Sequence, residues 1–156
     1  MPTTARLELR LLDEAALRTV VAGDRDRRRW SQDFPRKDDQ DAARMALRNV
    51  DQIFGCYAIV EQSTGLTVGT IGFFGAPDAA GTAMIGYGLV PSARGAGYAT
   101  EALREIVAFS FAQDEVVRLE ADPDRDNVAS HRVLEKSGFV RTRSTADAYW
   151  YTAERR

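Results

Sequence analysis

A mixed α/β domain, with a mostly antiparallel sheet of about seven strands flanked by four helices, is the fold this sequence predicts. Helix-period and strand-period stretches follow one another in the order β-α-α-β-β-β-α-β-α-β-β. Consecutive strand patterns between residues 54 and 90 are joined by short turns and loops, which makes an antiparallel meander. A long helix pattern then separates the strand ending at Val90 from one at Val116–Ala121. A helical crossover of that kind returns the chain parallel to the strand it left.

Leu7, Leu9 and Leu11 alternate with charged residues, the pattern of a half-buried first strand. Asp13 caps a helix carrying Ala16, Leu17, Val20 and Val21, and Gly23 ends it. The run Asp24-Arg-Asp-Arg-Arg-Arg-Trp30 and the segment through Lys37 have two readings. One is a solvated basic face. In the other, Trp30 and Phe34 form an apolar lip over a substrate. A second helix spans Asp38 to Val50, with an acidic start that suits the dipole and a buried stripe of Ala43, Ala46, Leu47 and Val50.

The period then changes. Phe54–Glu61, apolar on both faces, is a central strand, and Val68–Phe74 follows it across Ser63-Thr64-Gly65 as a hairpin partner. Gly75–Gly81 is a loop before the strand Met84–Val90. After the long helix and the strand 116–121, Pro123–Asp126 turns the chain and Asn127 caps a helix with Ser130 at its third position. Gly138 ends that helix in a left-handed cap, and Phe139–Arg143 and Ala148–Thr152 complete the sheet. With 156 residues, and no linker or repeat, the whole chain reads as one domain, 1–156.

The composition narrows the chemistry. A net charge of −2 gives no general attraction to nucleic acid or to anionic membranes. No apolar run is long enough to span a bilayer, and the first residues lack a signal segment, so a cytoplasmic location is expected. One histidine and one cysteine exclude zinc sites built from sets of those residues, and no metal is expected. His131 reads as a solvated helix residue, and Cys56 as a small core residue rather than a nucleophile.

The informative stretch is Val90-Pro-Ser-Ala-Arg94-Gly95-Ala96-Gly97-Tyr98-Ala99-Thr100. A strand runs in and a helix runs out. Ala99, Ala102, Leu103, Ile106, Val107 and Ser110 recur at the spacing of one helical face. Glycines let the backbone approach a ligand closely, the first-turn N–H groups of a helix lack internal partners, and Arg94 adds a fork of donors. Together these make a phosphate cradle.

Arg94-x-x-Gly97-x-Ala99 resembles the pyrophosphate signature of GNAT acetyltransferases. Asn127-Val-Ala-Ser130-His-Arg-Val-Leu-Glu-Lys136-Ser-Gly138-Phe139 resembles a later segment of the same superfamily, closest to the ribosomal-protein N-terminal acetyltransferases. The resemblance implies acetyl-CoA as acyl donor, gripped by Arg94, Gly95, Ala96, Gly97, Tyr98, Ala99 and Thr100. It implies a strand that splays from its parallel neighbour, with free backbone groups near Leu89 and Val90 that bind the pantetheine arm and polarise the thioester. Gly86 and Gly88 are compatible with a bulge there, or with room for packing. Ser130 occupies the place of a serine proposed to protonate the leaving thiolate, though hydrogen bonding at the first helical turn also explains it. Asn127 matches a residue contacting the cofactor arm, and capping explains it equally well. Lys136 and Arg132 either reach the adenosine phosphates or face solvent.

The general base is the gap. Related sequences often carry a glutamate just before Ile-Gly-Tyr, where this chain has Ala83 and Met84. Glu120 on the neighbouring strand is the best acidic substitute. Deprotonating lysine at pH 7 costs about 4.6 kcal/mol, an α-amine about 1.1 kcal/mol. A site with a weak base therefore suits an α-amine of a protein or peptide N-terminus, or a small amine, as acceptor. Homodimerisation is compatible with the sequence. Two rival readings stay open. One is a non-catalytic acyl-CoA-binding sensor. The other is a dinucleotide oxidoreductase, against which stand Thr100 at the third glycine position and the late position of the motif.

Overall fold

The computed structural model describes residues 2–25 and 29–156. Strand β1 (Leu7–Leu11) buries Leu7 and Leu9 completely, as its alternation requires. Helix α1 (Glu14–Ala22) starts where Asp13 accepts the Ala16 N–H at 2.8 Å, and stops at Gly23, whose φ of 68° is left-handed. Helix α2 (Lys37–Arg48) follows, and then β2 (Cys56–Glu61), β3 (Leu66–Phe73) and β4 (Thr82–Leu89) form the expected meander. A 3-10 turn at Pro91–Ala93 leads into α3 (Tyr98–Phe111), β5 (Arg118–Ala121), α4 (Val128–Lys136), β6 (Val140–Ser144) and β7 (Tyr149–Glu154).

The seven strands form one sheet in the order β1-β2-β3-β4-β5-β7-β6. Helices cover both faces. Tyr57 lies opposite Ile71, and its ring meets Phe109 of α3 edge-on at 5.9 Å. Thr70, one residue from Ile71 and therefore on the other face, donates to Asp39 of α2. Leu103 and Ile106 of α3 join Ile59, Ile71 and Ile85 of the sheet in the core, all essentially without exposed surface. Each such side chain contributes about 1.5–3 kcal/mol of burial. Among the described residues, no helix is long and apolar enough to cross a membrane.

One pairing is incomplete. Strand β4 runs parallel to β5 only from Thr82 to Met84, opposite Arg118 to Glu120. Against β3 its pairing continues without a break from Ile85 to Leu89. Beyond Met84 the edge of β4 that faces β5 is therefore open, and the sheet is notched.

Some expectations are corrected. The β3–β4 register is regular through Gly86 and Gly88, so these glycines mark no bulge. They make room for side chains: a Cβ on Gly86 would fall 2.8 Å from the Phe74 ring. The register shifts lie instead between Ile59 and Val60 and between Arg141 and Arg143. Trp30 and Phe34 are not a lip. They are 8% and 2% exposed and meet edge-on at 5.3 Å within the core. Backbone bonds from Ser31 N–H to the Thr67 carbonyl and from Thr67 N–H to the Arg29 carbonyl pin this segment to β3. Arg25 stays exposed, as a solvated basic face requires, while its guanidinium donates to the Phe34 and Ser31 carbonyls and ties the segment together. Asp26, Arg27 and Arg28 lie outside the described residues. His131 is buried, because it shares the inward stripe of α4 with Leu134. Its Nε2 lies 2.9 Å from the Arg125 carbonyl and its ring packs against Tyr149 and Tyr151.

Candidate active site

The glycine loop and the notch lie end to end. After the 3-10 turn, Gly95 and Gly97 take φ values of 85° and 83°, which an L side chain rarely adopts, and α3 begins at Tyr98. The N-cap Gly97 has no side chain to cap α3, and among the described residues the first-turn amides of Tyr98, Ala99 and Thr100 have no side-chain acceptor. The exposed Arg94 donates from Nε to the Leu89 carbonyl at 3.1 Å, which joins the loop to the end of β4. From the other side Asp33 accepts the Ser92 N–H at 2.9 Å and the Ser92 hydroxyl at 2.7 Å. The Tyr98 side chain points away. Its hydroxyl donates to Glu61 at 2.6 Å, and the Arg6 guanidinium sits 4.6 Å over its ring. Only its amide can serve the loop.

The hydrogen-bonding phase of β4 decides which backbone groups face the notch. Phe74 N–H donates to the Met84 carbonyl and Val90 N–H to the Val68 carbonyl, so even-numbered residues spend their amides on β3. Tyr87 and Leu89 therefore present their N–H and C=O groups to the open edge, while the Ile85 N–H closes the parallel ladder on Glu120 and leaves only its carbonyl there. Leu89 turns its amide to the open edge, and its carbonyl already takes Arg94. Val90 does not, because its amide is committed to Val68.

A cavity of about 340 Å³ passes through the notch. On the α4 side it reaches Tyr87, Asn127 and Ser130. On the α2 side it reaches Arg36, Met45 and Phe74, and four carboxylates, Asp38, Asp41, Asp122 and Asp124, lie along its wall. Ser130 Oγ donates to the Tyr87 phenol oxygen at 2.9 Å, and that phenol donates to the Ser130 carbonyl at 3.2 Å. Burial pushes Tyr87 up to about 12, although the Ser130 bond pulls the other way, so the phenol is neutral at physiological pH. Asn127 accepts the Ser130 N–H at 3.2 Å as the cap of α4, while also lining the cavity. Glu120 stands opposite Met84 and Thr152 in the sheet and does not line the cavity. Asp122, two residues on, does, and burial raises its carboxyl above the usual range. A shallower depression beside α3 gathers Gly97, Thr100, Arg104 and Lys136, with Arg104 donating to the Lys136 carbonyl at 2.9 Å. Arg132 is exposed elsewhere on α4. Among the described residues no group of acids, histidines or cysteines forms a metal site.

Sequence reasoning overlooked Tyr87, Arg36, Phe74 and Asp122. Tyr87 had a signal, as the aromatic of Ile-Gly-Tyr just before the cradle. Arg36 had one as well: a carboxylate three residues later, Asp39, at the start of a helix.

A sheet parted between two parallel strands, with a glycine loop and a bare helix start at its mouth, defines an acetyltransferase-type fold. The chain belongs to the GNAT acetyltransferases: the model of the acetyltransferase (GNAT) domain matches residues 6–140. It is similar to an uncharacterized N-acetyltransferase of Bacillus subtilis, YjdG, at 33% identity over 94 residues, or 60% of this chain and 56% of that protein. The chain thus spans about half the length of the curated relatives it matches. Among solved structures it resembles a GNAT-family acetyltransferase from Bacillus anthracis, with a TM-score of 0.70, 21% identity and 97% and 96% of the two chains covered. It also resembles RimL, a ribosomal L7/L12 α-N-protein acetyltransferase in complex with coenzyme A, with a TM-score of 0.71, 22% identity and 98% and 96% covered. At these identities the likeness is one of fold.

Proposed function

We propose that the chain moves an acetyl group from acetyl-CoA to a primary amine, either the α-amine of a peptide or protein N-terminus or that of a small molecule. The residues present fit the donor. The uncapped start of α3, with Arg94 and two left-handed glycines, suits a diphosphate, and the open edge at Tyr87 and Leu89 suits an amide-bearing arm laid along it like a strand. When bound, acetyl-CoA supplies the activated thioester.

The remaining chemistry falls to the chain. Open amides of β4 polarise the acyl carbonyl as the amine attacks. The carboxylates around the cavity attract the amine as its cation, and Asp122, nearest in sequence to the end of β5, takes its proton directly or through water. Ser130 turns its hydroxyl from Tyr87 to the departing sulfur, gives it a proton and regains one from water, and Tyr87 holds the hydroxyl at the edge before and after. The observation that carries this reading is the Ser130–Tyr87 hydrogen bond at the open edge of β4. Thiol release from acetyl-CoA across a panel of amines tests it. Acetylation of α-amines faster than lysine side chains is expected. Tight coenzyme A binding without thiol release on any amine would sink it in favour of a sensor.

A further inference from the structure

Arg36 is the residue of the cavity wall that the acetyl-transfer reading leaves without a task. It precedes α2, and its Nε and Nη2 donate to Asp39 at 3.0 and 2.7 Å. Asp39 has no exposed surface, and it also accepts the Arg36 backbone N–H at 2.9 Å and the Thr70 hydroxyl at 2.6 Å. Four donor groups fix the carboxylate, and the carboxylate fixes one edge of the guanidinium. The other edge is unspent. Nη1 makes no hydrogen bond among the described residues, and its nearest further acid, Asp38, is 4.0 Å away, beyond hydrogen-bond reach.

The guanidinium lies against Gly88, where a Cβ would fall 2.3 Å from Nη2 and 2.5 Å from Nη1. Two residues back on the same face of β4, the Phe74 ring covers Gly86 in the same manner. Ring and guanidinium therefore stand about 7 Å apart along the strand. Both line the cavity, and Phe74, 45% exposed, is joined there by Met45, 38% exposed. The cavity thus offers fixed donors beside an apolar surface, with carboxylates around them.

We infer that Arg36 recognises a carbonyl oxygen one carbon from the acceptor's amine, so that the acceptor is an aminoacyl group, such as the first residue of a peptide, with its side chain against Phe74. This rests on the reading of the cavity as the acceptor site. A bare alkylamine gives Nη1 nothing to bond. Asp39 already neutralises the guanidinium, and Asp38, Asp41, Asp122 and Asp124 surround the cavity, so a neutral carbonyl suits it better than a free carboxylate.

The test measures binding of L-phenylalaninamide, 2-phenylethylamine and L-phenylalanine to the protein saturated with coenzyme A, by calorimetry, and in parallel their acetylation by acetyl-CoA. The first two differ only by the carboxamide. The amide is expected to bind about tenfold or more tighter than the amine, the worth of one charge-assisted hydrogen bond. The free acid is expected to bind more weakly than the amide. Arg36→Lys keeps a cation for Asp39 but loses the second edge, so the preference for the amide should fall toward unity. Equal binding of amide and amine by the unaltered protein overturns the inference, as does tighter binding of the free acid, or an Arg36→Lys variant with its preference intact. If Arg36→Lys does not fold, the unaltered protein still decides. A clear amide preference without acetylation would uphold the Arg36 assignment while refuting the transfer reading.

Discussion

Ser130 Oγ donates to the phenol oxygen of Tyr87 at 2.9 Å, across a gap that joins the first turn of α4 to the open edge of β4. The pair fixes the Ser130 hydroxyl at the edge where the proposed reaction needs a proton donor, with its hydrogen directed at the phenol until a stronger acceptor draws it away. That hydroxyl is held by a neutral phenol that also donates to the Ser130 carbonyl at 3.2 Å. Ser130→Ala should lower kcat by about 100-fold, the lower end of what a positioned acid contributes. Tyr87→Phe, which only loosens the serine, should cost about tenfold by the same reasoning. The double variant should be no worse than Ser130→Ala alone. Steady-state kinetics on all three variants checks this, and additive losses would show that the hydroxyls act separately.

The cradle should respond to backbone strain and to charge in different ways. Gly97 sits at a φ of 83°, and a Cβ there would meet nothing closer than 3.4 Å, so Gly97→Ala is a conformational change rather than a collision. It should lower stability by about 1–2 kcal/mol. It should also weaken coenzyme A, because it tilts the first amides of α3. Arg94→Ala should weaken coenzyme A by about tenfold through one lost charge-assisted contact. Pantetheine, which lacks the diphosphate, should bind the Arg94→Ala variant no more weakly than the unaltered protein, since the substitution also frees the Leu89 carbonyl. Calorimetry with the two ligands separates these effects.

Cys56 should be silent toward thiol reagents in the folded protein. Burial, helped by the nearby Asp39 charge, pushes its thiol up to about 12, and it is 4% exposed. At pH 8 almost no thiolate is present, and none is accessible. Reaction should therefore follow global unfolding in denaturant. A labelling rate in native buffer comparable to that of free cysteine would place Cys56 at the surface.

What was legible in the sequence follows the range of each interaction. Strand alternation, the Asp13 and Asn127 caps and the Gly97 helix start are local, and the structure reproduces them within a residue or two. Trp30 and Phe34 misled because β3, more than thirty residues away, supplies the backbone partners that draw the segment inward. Val90 misled because pairing phase is a property of two strands, and one residue decides whether an amide faces β3 or the notch. Tyr87 and Ser130 are 43 residues apart, and no spacing rule brings a strand aromatic to a particular helix turn. Asp122 replaces Glu120 at the cavity for a related reason. Strand β5 ends at Ala121, and beyond that point the chain turns toward the opening.

Stability toward acid should depend on the clasp between the amino-terminal segment and α3. Glu101, in the first turn of α3, accepts from the Arg6 backbone N–H at 3.0 Å, from Arg6 Nε at 2.8 Å and from the Thr4 hydroxyl. Partial burial works against its ionisation, but these donors outweigh it and hold its carboxyl below the ordinary value of 4.5. Asp33 follows the same pattern: burial opposes its charge, and the Ser92 and Ser31 donors prevail. A carboxylate whose folded pKa is depressed contributes stability above its unfolded pKa and loses it as pH falls through the folded one. The contribution of Glu101 should therefore be complete at neutral pH and decline below pH 4.5. Glu101→Gln should melt lower than the unaltered protein at pH 7, and the two melting temperatures should converge as pH drops through the acid range. A difference that stays constant from pH 7 into acid would mean that the Glu101 contacts contribute through packing, and that their charge is immaterial to the clasp.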